Sequence, residues 1–145
     1  MNPRLDFYKA SPGVLAAMRG LEAEIAKSGL DKPLCELVRL RASQINGCAY
    51  CIDMHATDAR KGGETQRRLD TLPAWRETAF FTPRERAALA WTEALTLIAQ
   101  THARDDVYSG LRDHFSEKEI VDLTLLITTI NSWNRFAIGF RKQPD

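Results

Sequence analysis

The sequence has few cysteines, no bias toward one sign of charge and no long apolar run, and each absence excludes a class of protein. Three cysteines in 145 residues are too few for a disulfide-held secreted domain, and a chain of this length buries roughly 68–70% of its unfolded surface without such bridges. Twenty Lys and Arg against 19 Asp and Glu leave a net charge of +1. This balance gives no electrostatic reason to expect nucleic acid or a membrane as a partner.

Signals for export and membrane insertion are also missing. No stretch reaches the ~18 consecutive apolar residues that a membrane-spanning helix requires. The first residues, MNPRLDFYKASPG, lack the apolar segment and the small-residue cleavage site of a secretory signal. We therefore expect a cytoplasmic protein, and in a reducing compartment a cysteine pair is more often catalytic or metal-binding than structural.

Strand-like alternation of apolar and polar residues does not stand out, whereas helix start and stop signals recur along the chain. The sequence predicts an all-α, single-domain bundle of about six to seven helices over residues 1–145, with no linker long enough to separate two domains. The predicted helices run from Pro12 to Ser28, from Asp31 to Asn46, from Cys48 to about Lys61, roughly from Glu64 to Leu72, from a capping box at Thr82-Pro83-Arg84-Glu85 to at least Ile98, and from about Asp105 to His114. The last predicted helix follows a capping box at Ser116-Glu117-Lys118-Glu119 and runs from about Glu117 to Arg141.

The last predicted helix has apolar residues most of the way round, among them Ile120, Leu125, Trp133 and Ile138. In a protein this small, such a helix is difficult to cover with the rest of its own chain, so burial against another subunit is expected. The pattern predicts a homo-oligomer assembled through apolar helix faces. A central core helix in a monomer is the alternative.

The stretch NGCAYCIDMH, which ends at His55, places two cysteines and a histidine close together. On an α-helix, Cys48, Cys51 and His55 fall within a sector of about 60°, so they can form one site. Cys48 is placed in the first turn, where free backbone N–H groups and the helix dipole favour a thiolate. His55 lies one turn after Cys51 and can accept its proton directly or through a water.

A histidine that acts as a base needs a group that orients it and balances its charge. If the chain folds back at Asn46-Gly47, Glu36 lies roughly 15 Å from the turn and His55 roughly 12 Å, at about 1.5 Å per residue. The two side chains can therefore meet across neighbouring antiparallel helices. Glu36 is the predicted partner of His55.

The arrangement E-x(11)-C-x(2)-C-x(3)-H, from Glu36 through Cys48 and Cys51 to His55, resembles the signature of the alkylhydroperoxidase D-like family within the carboxymuconolactone decarboxylase superfamily. The segment TTINSWNRFAIGFR, residues 128–141, is similar to the Ile-Asn-x-Trp-Asn-Arg segment of small members of that family. The resemblance implies an all-helical fold that assembles as a trimer or hexamer. It also implies a cysteine pair that reduces peroxides while cycling between dithiol and disulfide.

Two effects compete in deciding which cysteine attacks the peroxide. A helix dipole contributes about 0.3–1 kcal/mol, whereas a hydrogen-bonded base contributes on the order of 10²–10⁴ in rate. Because His55 is one turn from Cys51 and nearly two from Cys48, we predict that Cys51 attacks and Cys48 resolves, and the family resemblance implies the same roles. The predicted enzyme is an antioxidant peroxide reductase that holds no cofactor or metal and uses a dithiol reductant, whose identity the sequence does not specify.

Three alternatives remain open at this level. Cys48, Cys51, His55 and Glu36 supply four nominal zinc ligands, although three of them on one helix face are unusual for structural zinc. A decarboxylase acting on a lactone acid would not need the cysteine pair. A general thiol-disulfide oxidoreductase or redox sensor would keep the same residues and have little peroxidase turnover.

Other polar or reactive residues are given structural interpretations. Asn131 and Asn134 are expected to make hydrogen bonds between helices or subunits. Trp133 is expected in the core or an interface, and Cys35 is expected to be a small buried apolar residue.

Overall fold

A computed structural model describes residues 1–145 as helices joined by short loops, with no β-strand. The α-helices are α1 (Phe7–Ala10), α2 (Pro12–Lys27), α3 (Lys32–Asn46), α4 (Ala49–Lys61), α5 (Gln66–Thr71), α6 (Pro83–Thr96), α7 (Ile98–Thr101), α8 (Asp105–Arg112) and α9 (Glu117–Phe140). A 3₁₀ helix spans Leu72–Glu77. The predicted all-α fold is confirmed.

Local sequence signals explain where the long helices begin and end. The side chain of Asp31 accepts a hydrogen bond from the Leu34 N–H and caps α3, as short acidic residues do at helix starts. Gly47 ends α3 in a left-handed conformation with φ of 72°, which glycine adopts without a steric penalty. Ser116 and Glu119 form the reciprocal capping box predicted for α9.

The second predicted capping box forms only in part. The Thr82 hydroxyl accepts a hydrogen bond from the Glu85 N–H at 3.1 Å, but the Glu85 carboxylate does not return to the Thr82 N–H. It pairs instead with Arg68 at 2.6 Å. A charged partner from α5 therefore replaces the local half of the motif, because a charge-assisted hydrogen bond is the stronger one.

The short elements were not predicted. The structure adds α1, α7 and the 3₁₀ helix, and the fourth predicted helix is shortened to Gln66–Thr71. Each of these elements has six residues or fewer. Such short segments carry too few turns for a helical period to be visible, and tertiary packing decides their conformation.

Helix α3 lies at the centre of the molecule and packs against α4, α6 and α9. Leu34 and Val38 belong to a buried group shared with α6, α8 and α9, while Leu37 and Leu40 belong to one shared with α4, α5, α6 and the 3₁₀ helix. Packing on both sides fixes the position of α3. It therefore also fixes the polar residues that α3 presents between these two groups.

Helix α9 is covered by its own chain more fully than its composition suggests. Its buried residues are Ile120, Leu123, Leu126, Ile127, Thr129, Ile130, Asn134 and Ala137. Its exposed large apolar residues are Val121, at 68% exposure, and Ile138, at 44%. None of the helices combines the length and apolar character needed to cross a membrane.

Candidate functional site

The two cysteines of the motif lie at the start of α4 and form a disulfide. After Gly47 turns the chain, the Cys48 N–H donates to the Ser43 carbonyl at 3.0 Å, and Cys48 becomes the N-cap residue of α4. Its Sγ accepts a hydrogen bond from the Cys51 N–H at 3.3 Å. Cys48 is 1% exposed and Cys51 2% exposed. The pair is therefore enclosed by protein, against Ala137 of α9.

The structure brings Glu36 and His55 together as the helical hairpin predicts. His55 Nδ1 lies 3.0 Å from Glu36 Oε2. Burial raises the pKa of Glu36, but the hydrogen bond to His55 and the charges of His55 and Arg39 together lower it by more, so that it falls below its usual value of 4.5. Glu36 is thus a carboxylate near neutral pH and can only accept. His55 Nδ1 then carries the hydrogen, and Nε2 is the ring nitrogen left to accept a proton.

The hydrogen-bond network extends beyond the predicted residues as one chain from Glu36 through Arg39 and Glu22 to Trp133. Arg39 donates from Nη1 to Glu36 and from Nη2 to Glu22, each at 2.9 Å. Trp133 of α9 donates its indole N–H to the other Glu22 oxygen at 3.0 Å. None of these three residues was assigned to the site from the sequence. Only Arg39 left a readable signal, because a residue three positions after Glu36 lies on the same helix face.

A cavity of about 580 Å³ opens onto Cys51 and His55, and we call it the cysteine cavity. Its walls are mainly apolar and include four aromatic side chains, contributed by Phe7, Tyr8, Tyr50 and Trp133. Burial, with a smaller effect of the neighbouring Tyr50, raises the pKa of Tyr8 to about 12, so its hydroxyl stays protonated. Cys51 and His55 share the cavity but are not hydrogen-bonded to each other in the disulfide form.

A second cavity of about 660 Å³ lies on the other side of the charged network, and we call it the rear cavity. The two cavities share four lining residues: Glu22, Glu36, Arg39 and Asp58. The rear cavity also contains Cys35, a buried thiol whose pKa burial raises to about 11. Cys35 is therefore a poor nucleophile at neutral pH, in agreement with its predicted apolar role.

The residues that could hold a metal ion differ from the predicted zinc set. Glu36, His55 and Asp58 place ligand atoms within 4.8 Å of one another, but Cys48 and Cys51 are not part of this group. Both oxygens of Glu36 are already bonded, one to His55 and one to Arg39. The Arg39 cation already neutralises Glu36 and would repel a divalent cation bound there. This arrangement therefore suits a proton relay better than a metal ion.

The two asparagines of α9 have the structural role predicted for them. Asn46 donates to the side-chain oxygens of Asn131 and Asn134, each at 2.9 Å. Asn134, which is fully buried, donates in turn to the Ser43 hydroxyl at 3.0 Å. These bonds tie the end of α3 to α9 directly before the turn that leads to Cys48. Neither Asn131 nor Asn134 lines the cysteine cavity.

The fold is thus all-helical, and its site combines a buried cysteine pair with a histidine–carboxylate pair. The sequence pattern of the Carboxymuconolactone decarboxylase family matches residues 12–94. The chain belongs to this family, and within it the similarity to alkylhydroperoxidase D-like proteins is confirmed by the relatives described next.

Three relatives illustrate the similarity. The uncharacterized protein YdfG of Bacillus subtilis is 44% identical over 139 residues, which cover 96% of this chain and 95% of that protein. A protein of unknown function from Agrobacterium tumefaciens, described as a candidate antioxidant defence protein AhpD, superimposes with a TM-score of 0.96 at 44% identity over 99% of both chains. The alkyl hydroperoxide reductase AhpD of Maricaulis maris is 49% identical over 41 residues, 28% of this chain and 24% of that protein.

Proposed function

We propose that the protein is a thiol peroxidase that reduces organic hydroperoxides with Cys51 and Cys48 and is regenerated by an external dithiol. The observation that carries this proposal is the placement of Cys51 and His55 in one cavity, with Glu36 bonded to the far side of the imidazole. Family membership and the similarity to AhpD proteins support a peroxidase-related activity.

The proposed reaction begins with the reduced cysteine pair. His55 accepts the proton of the Cys51 thiol, and the thiolate attacks the outer oxygen of the hydroperoxide. The O–O bond breaks, Cys51 becomes a sulfenic acid, and the alkoxide takes up a proton and leaves as an alcohol. Glu36 stabilises the imidazolium that forms in the first step.

The second half of the cycle restores the dithiol. The Cys48 thiol attacks the Cys51 sulfur, the disulfide forms, and the hydroxyl group leaves as water with the proton of Cys48. An external dithiol then reduces the disulfide by exchange and is itself oxidised to a disulfide. One hydroperoxide and one external dithiol are consumed in each turnover, and one alcohol and one water are released.

The size and lining of the cysteine cavity favour an organic substrate over hydrogen peroxide. Ligand cavities of about 300–1,000 Å³ accommodate drug-sized molecules, and this one measures about 580 Å³. Its aromatic and aliphatic walls would stabilise an apolar substituent through burial. Hydrogen peroxide has no such substituent and would leave most of the cavity unused.

Stopped-flow oxidation of the reduced protein tests the proposal. We expect both thiols to be lost per hydroperoxide, an alcohol product, and faster reaction with cumene hydroperoxide than with hydrogen peroxide. If the disulfide exchanges rapidly with dithiols but the reduced thiols do not react with peroxide, the protein is a general thiol-disulfide oxidoreductase instead. If neither peroxide nor dithiols change the state of the cysteine pair, the peroxidase and the oxidoreductase assignments are both excluded. The decarboxylase alternative would then be favoured.

A further inference from the structure

The charged network behind His55 continues well past the residue that orients it. Arg39 lies between two carboxylates, Glu36 and Glu22, with bonds of 2.9 Å to each. Trp133 holds the far oxygen of Glu22 at 3.0 Å. The network thus connects α2, α3, α4 and α9 through side chains alone. Nothing in the proposed chemistry requires Glu22 or Trp133 to touch the substrate.

We propose that Glu22 and Arg39 are positioning residues that set the charge balance around the Glu36–His55 pair, and thereby the pH at which the cysteine pair becomes reactive. Arg39 on its own would offset the negative charge of Glu36, and Glu36 would then stabilise a protonated His55 less. Glu22 accepts a hydrogen bond from Nη2 of Arg39 and partly neutralises the arginine, so more of the negative charge of Glu36 remains available to His55. The proposal rests on the proton transfer from Cys51 to His55 described above.

The location of the network makes its charges effective. The Arg39 side chain is 16% exposed and that of Glu36 is 19% exposed, so solvent screens their interaction less than that of a surface pair. Both residues line the cysteine cavity and the rear cavity. An arginine that bridges two carboxylates also fixes their geometry, because its planar group presents donors in a rigid fork.

Other charged or titratable groups also face this site from the surrounding elements. From α1 and α2 these groups are Tyr8 and Arg19, and from α4 they are Tyr50 and Asp58. The rear cavity adds Lys32 and Cys35 of α3 and Glu64 of the loop after α4. Helix α9 contributes no charged side chain to either cavity. All of these groups stay unchanged in the variants below, so a shift between variants reports the altered charge.

Two substitutions of opposite sign test the proposal. Glu22→Gln removes a negative charge and should favour the thiolate and the neutral imidazole, which moves the pH midpoint of thiol deprotonation down. Arg39→Gln removes a positive charge and should move that midpoint up. We expect each shift to be on the order of 0.5 pH unit. Thiolate absorbance of the reduced protein measures the midpoint, and the pH dependence of cumene hydroperoxide consumption measures its effect on reaction.

The conservative variant Glu22→Asp keeps the charge and should restore the wild-type midpoint. Glu93→Gln provides a matched control, because Glu93 also accepts a tryptophan N–H, from Trp75 at 3.0 Å, and pairs with arginines including Arg41 at 3.4 Å. Glu93 lines neither cavity. Its substitution should change stability without moving the thiol midpoint.

Shifts of both variants in the same direction, the absence of any shift, or an equal shift in Glu93→Gln would overturn the proposal. Each variant has its own predicted sign, so Glu22→Gln decides the question alone if Arg39→Gln does not fold. The absorbance titration needs no peroxide. Opposite shifts in a protein that does not consume peroxide would therefore retain this inference while the proposed peroxidase function failed.

Discussion

Cys48 and Cys51 have different surroundings although both are buried and share one disulfide. Cys51 lines the cysteine cavity together with His55, whereas Cys48 lines neither cavity. Cys48 caps α4, and its sulfur accepts the Cys51 N–H. The helix terminus therefore favours a Cys48 thiolate, while the cavity and the base favour reaction at Cys51. Base catalysis is the larger effect.

Substitution of each cysteine separates the attacking thiol from the resolving one. Cys51→Ser should lose all reaction with hydroperoxide, because the remaining thiol does not face the cavity. Cys48→Ser should consume one equivalent and stop as a Cys51 sulfenic acid, which a dimedone-type probe can trap for mass spectrometry. A trapped sulfenate on Cys48 in the Cys51→Ser protein, with none on Cys51 in the other variant, would invert the two roles.

The Glu36–His55 contact could be predicted from the sequence because both residues lie on one helical hairpin, where the turn and the helical rise fix their distance. Arg39 could have been added from its spacing. Glu22 and Trp133 could not, since they come from α2 and α9, and the angles of those helices to α3 depend on side-chain packing that spacing does not encode.

Substitution of Glu36 should lower turnover and make the free energy of unfolding depend less on pH in the acid range. The pKa of Glu36 lies below its usual value of 4.5 in the folded protein, so the ionised carboxylate stabilises the fold above the pKa of the unfolded chain. That contribution is lost as the pH falls through the lowered folded pKa. In Glu36→Gln, peroxide turnover should drop about tenfold or more, and urea unfolding between pH 6 and 3 should depend less on pH.

The exposed carboxylate of Glu24 supplies the control for this prediction. Glu24→Gln should retain wild-type turnover and the wild-type slope of unfolding free energy against pH. Equal turnover of Glu36→Gln and wild type from pH 5 to 9 would show that Glu36 does not assist His55.

At the scale of elements, helix α1 completes the wall of the cysteine cavity although no helix was predicted there. Phe7 stacks on Phe136 of α9, with ring centroids 5.4 Å apart, and lies 5.6 Å from Phe140. The Arg4 N–H donates to the Phe140 carbonyl at 2.9 Å. These contacts fasten the chain terminus to the end of α9. A four-residue helix held by distant aromatic residues leaves no periodic pattern in the sequence.

If the chain is the proposed peroxidase, truncation of Phe7 should make it less selective for organic hydroperoxides. An aromatic contact is worth about 0.5–1.5 kcal/mol, so Phe7→Ala should lower kcat/KM for cumene hydroperoxide about 2- to 13-fold relative to hydrogen peroxide. Phe80, which packs under Arg67 at 4.4 Å and lines neither cavity, provides the matched control. An equal loss for both substrates, or the same change in Phe80→Ala, would remove Phe7 from the substrate-binding wall.

At the scale of the whole molecule, apolar side chains remain on the surface of more than one helix. On α9 they are Val121 and Ile138, and on α2 they are Val14, at 42% exposure, and Leu21, at 38%. Val14 and Leu21 are seven residues apart and therefore lie on the same helix face. Helix α2 also supplies a wall to both cavities. An apolar surface of this kind favours association between copies of the chain.

We predict that the protein is a homotrimer or homohexamer, as the family resemblance implies, and that the α2 face takes part in assembly. Light scattering at micromolar concentration should give about three or six times the chain mass of 16.4 kDa. A charge at the centre of an apolar contact is costly to bury, so Leu21→Glu should lower the measured mass. Ile98→Glu, which changes a more exposed apolar residue on α7, at 51% exposure, should not. A wild-type mass near that of one chain would refute the oligomer, and an oligomer that survives Leu21→Glu but dissociates with Val121→Glu would place the interface on α9 instead.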